Sequence, residues 1–536
     1  MLLRLLASLA AAVATAAIAT QVVAQDARTA CTTPNVSSKS GFICGIDLGE
    51  TYAFLGIPYA ESTAGARRWT APVPKAAWTD VLRATAYGAE CPQNSATPRA
   101  LPQSEDCLSL NVWRPKTTAG SNLPVLVFIH GGAYVVGSSG GGERLPSNPD
   151  QSLYDGAYLA QSQGIVVVTL NYRLGALGFL AGSAGLTGNY GIMDQQLALA
   201  WVRDNIAAFG GDPTRVTISG ESAGAGSVGV HLLSAPASKP LFRAAIMQSN
   251  PIGLPFRNLS EAKRTGDYFL FAVGCFYAAR PLECLRAKPV EALLKAQASP
   301  LINLPVLEFG LYSLITWSPV VDGRVVTQAP LASAAAGGLD KPTIIGTNTE
   351  EGILFTGTNA ISRNLYRAAL GKLYSLGQID AIEALYPPIN GDNRATLGRI
   401  ATDAFFYCPN RFVSLQAKAP VYSYLFTFAT DAVNVFPNNP LCKGKACHGQ
   451  ELPFAFNTLG ISSDITDADR AVGKAMTDDW GAFVRDLKPA SSAWQNFTPQ
   501  SQALLEINAT PRTVPADTAR CAYWDARGYG RDGLQP

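Results

Sequence analysis

Among the 536 residues are only three histidines, and one stands far downstream of a serine set in a glycine-flanked turn. The serine is Ser222, in the G-x-S-x-G pentapeptide Gly220-Glu221-Ser222-Ala223-Gly224. It follows the β-branched run Val216-Thr217-Ile218 and precedes Ala225 to Leu233, a small-residue stretch that reads as a helix. Strand, tight turn and helix in that order expose a serine hydroxyl at the end of a sheet, the nucleophile elbow. The pentapeptide alone fits an ordinary glycine-rich turn equally well. A serine hydroxyl attacks only when a histidine takes its proton and a carboxylate orients that histidine. On a doubly wound sheet the chain order is serine, acid, histidine. His130 precedes the serine and reads as structural. His231 follows on the predicted helix and reads as a packing residue. That leaves His448, in the loop Cys447-His448-Gly449-Gln450-Glu451-Leu452-Pro453.

The acid must fall between Ser222 and His448. Asn348-Thr349-Glu350-Glu351-Gly352 follows a predicted strand, Thr343 to Gly346, and a strand-end loop puts a carboxylate at the same sheet edge as the elbow. Gly352 relaxes the backbone after Glu351, which favours Glu351 and leaves Glu350 as the alternative. Acyl transfer also builds negative charge on the former carbonyl oxygen, and preorganised N–H groups must meet it. His130-Gly131-Gly132-Ala133 directly follows a predicted strand, and glycines let the backbone approach a ligand closely. Gly131, Gly132 and Ala223 are therefore the expected donors.

These residues need a sheet to hold them. Short apolar runs at 124–129, 165–170, 216–219, 244–247, 343–346 and 421–428 read as buried strands, with helical patterns such as 194–207 between them. Alternation of this kind predicts an α/β fold with a mostly parallel central sheet and helices on both faces. Residues 255–340 and 353–420 read as helical insertions above the active edge. No linker divides the chain, so residues 25–536 are expected to form one domain. Residues 1–24 read as a signal peptide: Arg4, an apolar run from Leu5 to Thr20, and Val22-Val23-Ala24 before Gln25. Charge is nearly balanced, with 42 basic and 40 acidic residues, so nothing points to nucleic acid. Export makes the ten cysteines disulfide candidates. Proximity suggests Cys31–Cys44, Cys91–Cys107, Cys275–Cys284 and Cys442–Cys447, leaving Cys408 and Cys521 as a long-range pair.

Three further segments carry a resemblance. They are Phe54-Leu55-Gly56-Ile57-Pro58-Tyr59-Ala60 with Arg67-Arg68-Trp69, then Glu105-Asp106-Cys107-Leu108-Ser109-Leu110-Asn111-Val112, and the run from Gly188-Asn189 to Asp212-Pro213. With the elbow they make the chain resemble the type-B carboxylesterase family, in its bacterial para-nitrobenzyl esterase-like branch. The resemblance implies an α/β-hydrolase fold, Glu351 as the acid, and the pairs Cys91–Cys107, Cys275–Cys284 and Cys408–Cys521. The Cys91–Cys107 loop has no aromatic residue for a choline ammonium and is too short for an amphipathic lid, which disfavours cholinesterase and interfacial lipase activity.

The expected protein is a secreted or periplasmic serine carboxylesterase acting on small-molecule esters. No cofactor, metal, nucleic acid or, after signal cleavage, membrane is expected. A monomer is expected, with an oligomer left open. Arg99, Arg144 and Arg257 fall in segments that the resemblance puts around the pocket mouth. Arginine grips carboxylates bidentately, so an ester of a polycarboxylic acid, such as a fumonisin-type toxin, is a further expectation. The rivals are a catalytically inactive family member used for adhesion, as the neuroligin-like members are, and a serine peptidase on the same fold. The retained serine, glutamate and histidine argue against the first, and the N-terminal signatures argue against the second.

Overall fold

The computed structural model describes residues 31, 34–95, 101–116, 122–140, 144–145, 148–299, 314–433, 435, 439–461 and 464–529. The expected signal peptide lies outside them. Among the described residues no helix is long and apolar enough to cross a membrane.

The organising element is an eleven-stranded sheet. In chain order its strands are β1 (Ile46–Asp47), β2 (Thr51–Pro58), β3 (Ser109–Pro115), β4 (Leu123–Ile129), β5 (Val166–Leu170), β6 (Gly211–Glu221), β7 (Ala244–Gln248), β8 (Thr343–Asn348), β9 (Val421–Phe426), β10 (Ala503–Ile507) and β11 (Arg512–Pro515). In space they run β11-β10-β9-β8-β7-β6-β4-β5-β3-β2-β1. The stretch from β10 to β5 is parallel, and both flanks are antiparallel.

The strand sequences explain their depth. Along β4, Val125, Val127 and Ile129 enter one core while Leu126 and Phe128 enter the other, the two-residue period of a strand covered on both faces. On the first face lie α1 (Tyr190–Asn205) and α2 (Ala223–Leu233), burying Ile192, Leu199, Val228 and Leu232. The second face is covered by a later helix, Asp467–Asp486, through Val472, Met476, Trp480 and Phe483. Each such side chain contributes roughly 1.5–3 kcal/mol, so the sheet is a rigid base for whatever its edge carries.

Both predicted insertions are helix-rich where described. The β7–β8 connection includes α3 (Leu259–Ala272), which starts with a capping box made by Asn258 and Glu261. The β8–β9 connection includes α4 (Arg363–Gly371), α5 (Arg394–Ala401), a π-helical segment over Thr402–Tyr407, and α6 (Cys408–Leu415).

The resembling segments do structural work. Arg68 grips Glu105 through two hydrogen bonds of 2.6 Å, joining two of them, and Arg173 grips the buried Asp194 of α1 at 2.7 and 2.8 Å. All five expected cysteine pairs are bridged, including Cys408 of α6 to Cys521 near the C-terminus, and no described cysteine is free.

Candidate active site

β6 ends at Glu221 and α2 begins at Ala223, so Ser222 alone makes the turn, at φ 57° and ψ −124°. Such backbone costs about 1–3 kcal/mol and persists only where neighbours hold it. Here the Ser222 N–H donates to Gln248 O (3.0 Å), and Ser222 O accepts from the Gly226 N–H (2.8 Å). The flanking glycines are required by contact. A Cβ on Gly220 would lie 2.5 Å from the Gly224 carbonyl carbon, and one on Gly224 would overlap Ile129 O.

Glu351 and His448 meet beside this turn. Glu351 Oε2 lies 2.5 Å from His448 Nδ1, and Glu351 Oε1 accepts from the Asn348 N–H at 2.7 Å. Both residues are buried. Glu350 turns the other way, accepting from Thr349 Oγ1 at 2.5 Å. Gly352 owes its identity to crowding rather than to backbone freedom: any Cβ there would strike Gly398 O of α5. The Cys442–Cys447 bridge closes immediately before His448. Phe355 and Phe406 flank its ring, each with centroids 5.2 Å away.

Two further carboxylates, which the sequence analysis did not single out, face the same histidine. Glu221 Oε1 lies 3.2 Å from His448 Nε2, which makes no hydrogen bond. Glu451 accepts from Asn348 Nδ2 at 2.5 Å and from Gln248 Nε2 at 3.4 Å. Asn348 Nδ2 also donates to Cys447 O (2.7 Å), so this network holds the peptide preceding His448. Burial opposes a charge on His448, but Glu221 and Glu351 outweigh it and push the imidazole up to about 9. Burial also raises Glu221 and Glu451 well above the usual carboxylate range, each reinforced by its acidic neighbours. The signal for Glu221 was its place before Ser222 at the buried end of β6. For Glu451 no pattern marked it.

The loop after β4 shows where backbone donors aim. Gly132 O accepts from the N–H groups of Val135 and Val136, both at 3.0 Å. A trans peptide points its N–H opposite its carbonyl, so the Ala133 N–H faces away from that turn. Ala133 and Ala223 line a cavity together with Ser222. Gly131 packs beneath them, where a Cβ would lie 2.7 Å from Glu221 Oε2 and 3.1 Å from Ser222 Cβ. Gly132 sits between, at φ 104°.

The cavity holds about 550 Å³. One wall is Pro251, Leu254, Leu314 and Ile315; the other is Phe355, Leu370, Leu373, Ile400, Phe405 and Phe406. Among the described residues no cationic side chain lines it. Arg257 is 4% exposed, and its Nη1 donates to Ile315 O (2.8 Å) and Thr316 O (3.0 Å). It braces the cavity wall from behind. Arg99 and the Arg144 side chain lie outside the described residues; the Arg144 backbone is in a short strand paired with Asn148–Ser152. His231 is apart from all of this, buried with Nδ1 2.8 Å from Ser238 Oγ and Nε2 2.9 Å from Gln195 Oε1. His130 stacks on Tyr172, with centroids 4.4 Å apart.

Comparison with known proteins places the whole of this fold in one family. The model of the carboxylesterase family matches residues 32–524. Para-nitrobenzyl esterase of Bacillus subtilis (strain 168) is 35% identical over 519 residues, covering 92% of this chain and 99% of that protein. Fumonisin B1 esterase of Sphingopyxis macrogoltabida is 34% identical over 486 residues, covering 86% and 81%. A solved para-nitrobenzyl esterase structure superposes with a TM-score of 0.78 at 33% identity, covering 91% of this chain and 98% of that one.

Proposed function

The chain belongs to the carboxylesterase family and is a carboxylic ester hydrolase; from that premise we propose that it is an exported serine esterase working through Ser222, His448 and Glu351. The observation that carries this reading is the buried 2.5 Å contact between Glu351 and His448, flanked by Phe355 and Phe406, which line the same cavity as Ser222. Ser222 attacks the ester carbonyl while His448 Nε2 takes its proton. Glu351 holds Nδ1–H and stabilises the imidazolium. The alcohol leaves with the proton from His448, and water activated by the same nitrogen hydrolyses the acyl-enzyme. The oxyanion is met by the N–H groups of Ala133 and Ala223, with Gly132 beside them and Gly131 supporting from below.

The apolar walls favour uncharged esters with bulky apolar groups. A second reading, esters of polycarboxylic acids, is favoured by the similarity to fumonisin B1 esterase, and would draw its cations from the segments of Arg99 and Arg144. Export is supported by the leader-like residues 1–24 and the five disulfides. The test is hydrolysis of nitrophenyl esters of graded acyl length beside tricarballylate esters, with Ser222→Ala as control. Loss of turnover in Ser222→Ala is expected, and retained turnover would remove Ser222 from the mechanism.

A further inference from the structure

Pro251, Leu254 and Ile315 line both the reaction cavity and a second, smaller space of about 60 Å³. Its surface is mostly carbon, but two buried polar groups, Tyr134 and Asn250, face into it. Tyr134 Oη and Asn250 Oδ1 each lack a hydrogen-bond partner of normal geometry. The Ser227 hydroxyl beside Tyr134 accepts from Gln195 Nε2 at 3.1 Å, so its own proton is left to reach Tyr134 Oη, and the Tyr134 O–H remains a donor without an acceptor. An unpaired buried polar group costs about 1–3 kcal/mol, so two at one recess call for an occupant.

The recess exists because α2, the helix led by Ser222, has glycines one turn apart. A Cβ on Gly226 would lie 2.6 Å from Tyr134 Oη and 4.0 Å from Asn250 Oδ1; one on Gly229 would lie 3.3 Å from Asn250 Nδ2. Both polar groups therefore pack against the helix where two side chains are missing, and the recess lies beside them. Burial pushes the Tyr134 phenol well above its ordinary range, so the hydroxyl keeps its proton and can donate it, while Asn250 Oδ1 accepts.

We propose that this recess is a specificity subsite for the far end of the substrate, taking a small group that both donates and accepts hydrogen bonds, such as a hydroxyl, on an apolar arm. The subsite rests on the reading of the Ser222 cavity as the reaction site. The arm lies along Pro251, Leu254 and Ile315, and its terminal hydroxyl accepts from Tyr134 and donates to Asn250. A plain alkyl end leaves both groups unpaired or must share the space with water, for which the volume suffices.

The experiment compares kcat/KM for two series of matched pairs: nitrophenyl esters of ω-hydroxy acids against alkanoates of equal length, and acetates of diols against acetates of alkanols. At one arm length, in one series, the hydroxyl-ended ester is expected to be preferred by roughly tenfold or more. The series that shows the preference identifies which half of the ester enters. Tyr134→Phe and Asn250→Leu should each collapse that ratio toward one. So should Gly226→Ala, whose methyl group would lie 2.6 Å from Tyr134 Oη and displace that hydroxyl from the recess. The absence of a hydroxyl preference at every length in both series overturns the proposal. A preference that survives all three substitutions does the same, as does an equal effect on both members of each pair, the mark of a resident water. Nitrophenyl acetate turnover by the wild type, and its loss in Ser222→Ala, tests the reaction site separately.

Discussion

His231 and His448 are both shut away from solvent, at 0% and 5% exposure, yet their surroundings push them in opposite directions. His231 sits among neutral partners, Ser238 and Gln195, and burial alone drives its pKa down to about 3. His448 loses as much solvent but faces Glu221, Glu351 and, further off, Glu451, and rises to about 9. Desolvation is common to both sites; the difference lies in which elements converge. The first site is packed between helices. The second is at the end of the parallel sheet, where the end of β6, the turn after β8 and the turn after His448 each deliver a carboxylate. A buried histidine becomes a proton carrier only where such charge makes its protonated form accessible.

Removing each histidine should produce the largest contrast. His448→Gln should lower kcat/KM on nitrophenyl acetate by about 10⁴–10⁶-fold. Glu351→Gln should cost about 10⁴-fold by leaving the imidazole in the wrong tautomer, while Glu350→Gln stays near wild type. His231→Gln should lower Tm and leave kcat/KM within about threefold, since it breaks hydrogen bonds worth about 1 kcal/mol each and touches nothing in the cavity. Comparable rate losses in His231→Gln and His448→Gln would erase the distinction.

The contrast also explains what could be read from residues alone. Ser222, His448 and the cysteine pairs were legible because their cues are local: a pentapeptide, a chain order, a short spacing. The six central strands, β4 to β9, were legible because they are short apolar runs between turn residues, although β6 begins well before its apolar core; β1, β2, β3, β10 and β11, at the flanks of the sheet, gave no such run. Glu221 and Glu451 were not, since Glu221 reaches the imidazole only through the sheet, and Glu451 joins it only through Asn348 and Gln248 of other strands. Ala133, proposed above as an oxyanion donor, was hidden for a related reason. Residue type points to glycine wherever backbone comes close, and the close approach of Gly131 is to Glu221 and Ser222, while the cavity wall falls to its neighbour. Arg257 carries the charge an anionic substrate needs, but its two carbonyl partners come from a segment nearly sixty residues away.

A smaller effect isolates the charge itself. Glu221→Gln keeps the shape beside His448 Nε2 and removes a carboxylate that raises the imidazole. The acid limb of the kcat/KM profile marks the loss of a proton from His448, so it should move to lower pH in this variant. An unmoved or upward-shifted limb would assign the raised pKa to something other than Glu221.

The smallest predicted effect is on stability, and the two histidines should tilt it opposite ways. For His231 the folded value of about 3 lies below the ordinary 6.5. Between these values the unfolded chain binds a proton that the folded chain refuses, so stability falls as pH drops through that window. For His448 the folded value of about 9 lies above 6.5. Its contribution is complete below 6.5 and is lost as pH rises toward 9, and the raised Glu221 and Glu451 act with the same sign. In a plot of Tm against pH, His231→Gln should flatten the acid side and His448→Gln the alkaline side. If both substitutions flattened the same side, the two environments would share one electrostatic character, and the carboxylates around His448 could not be what separates them.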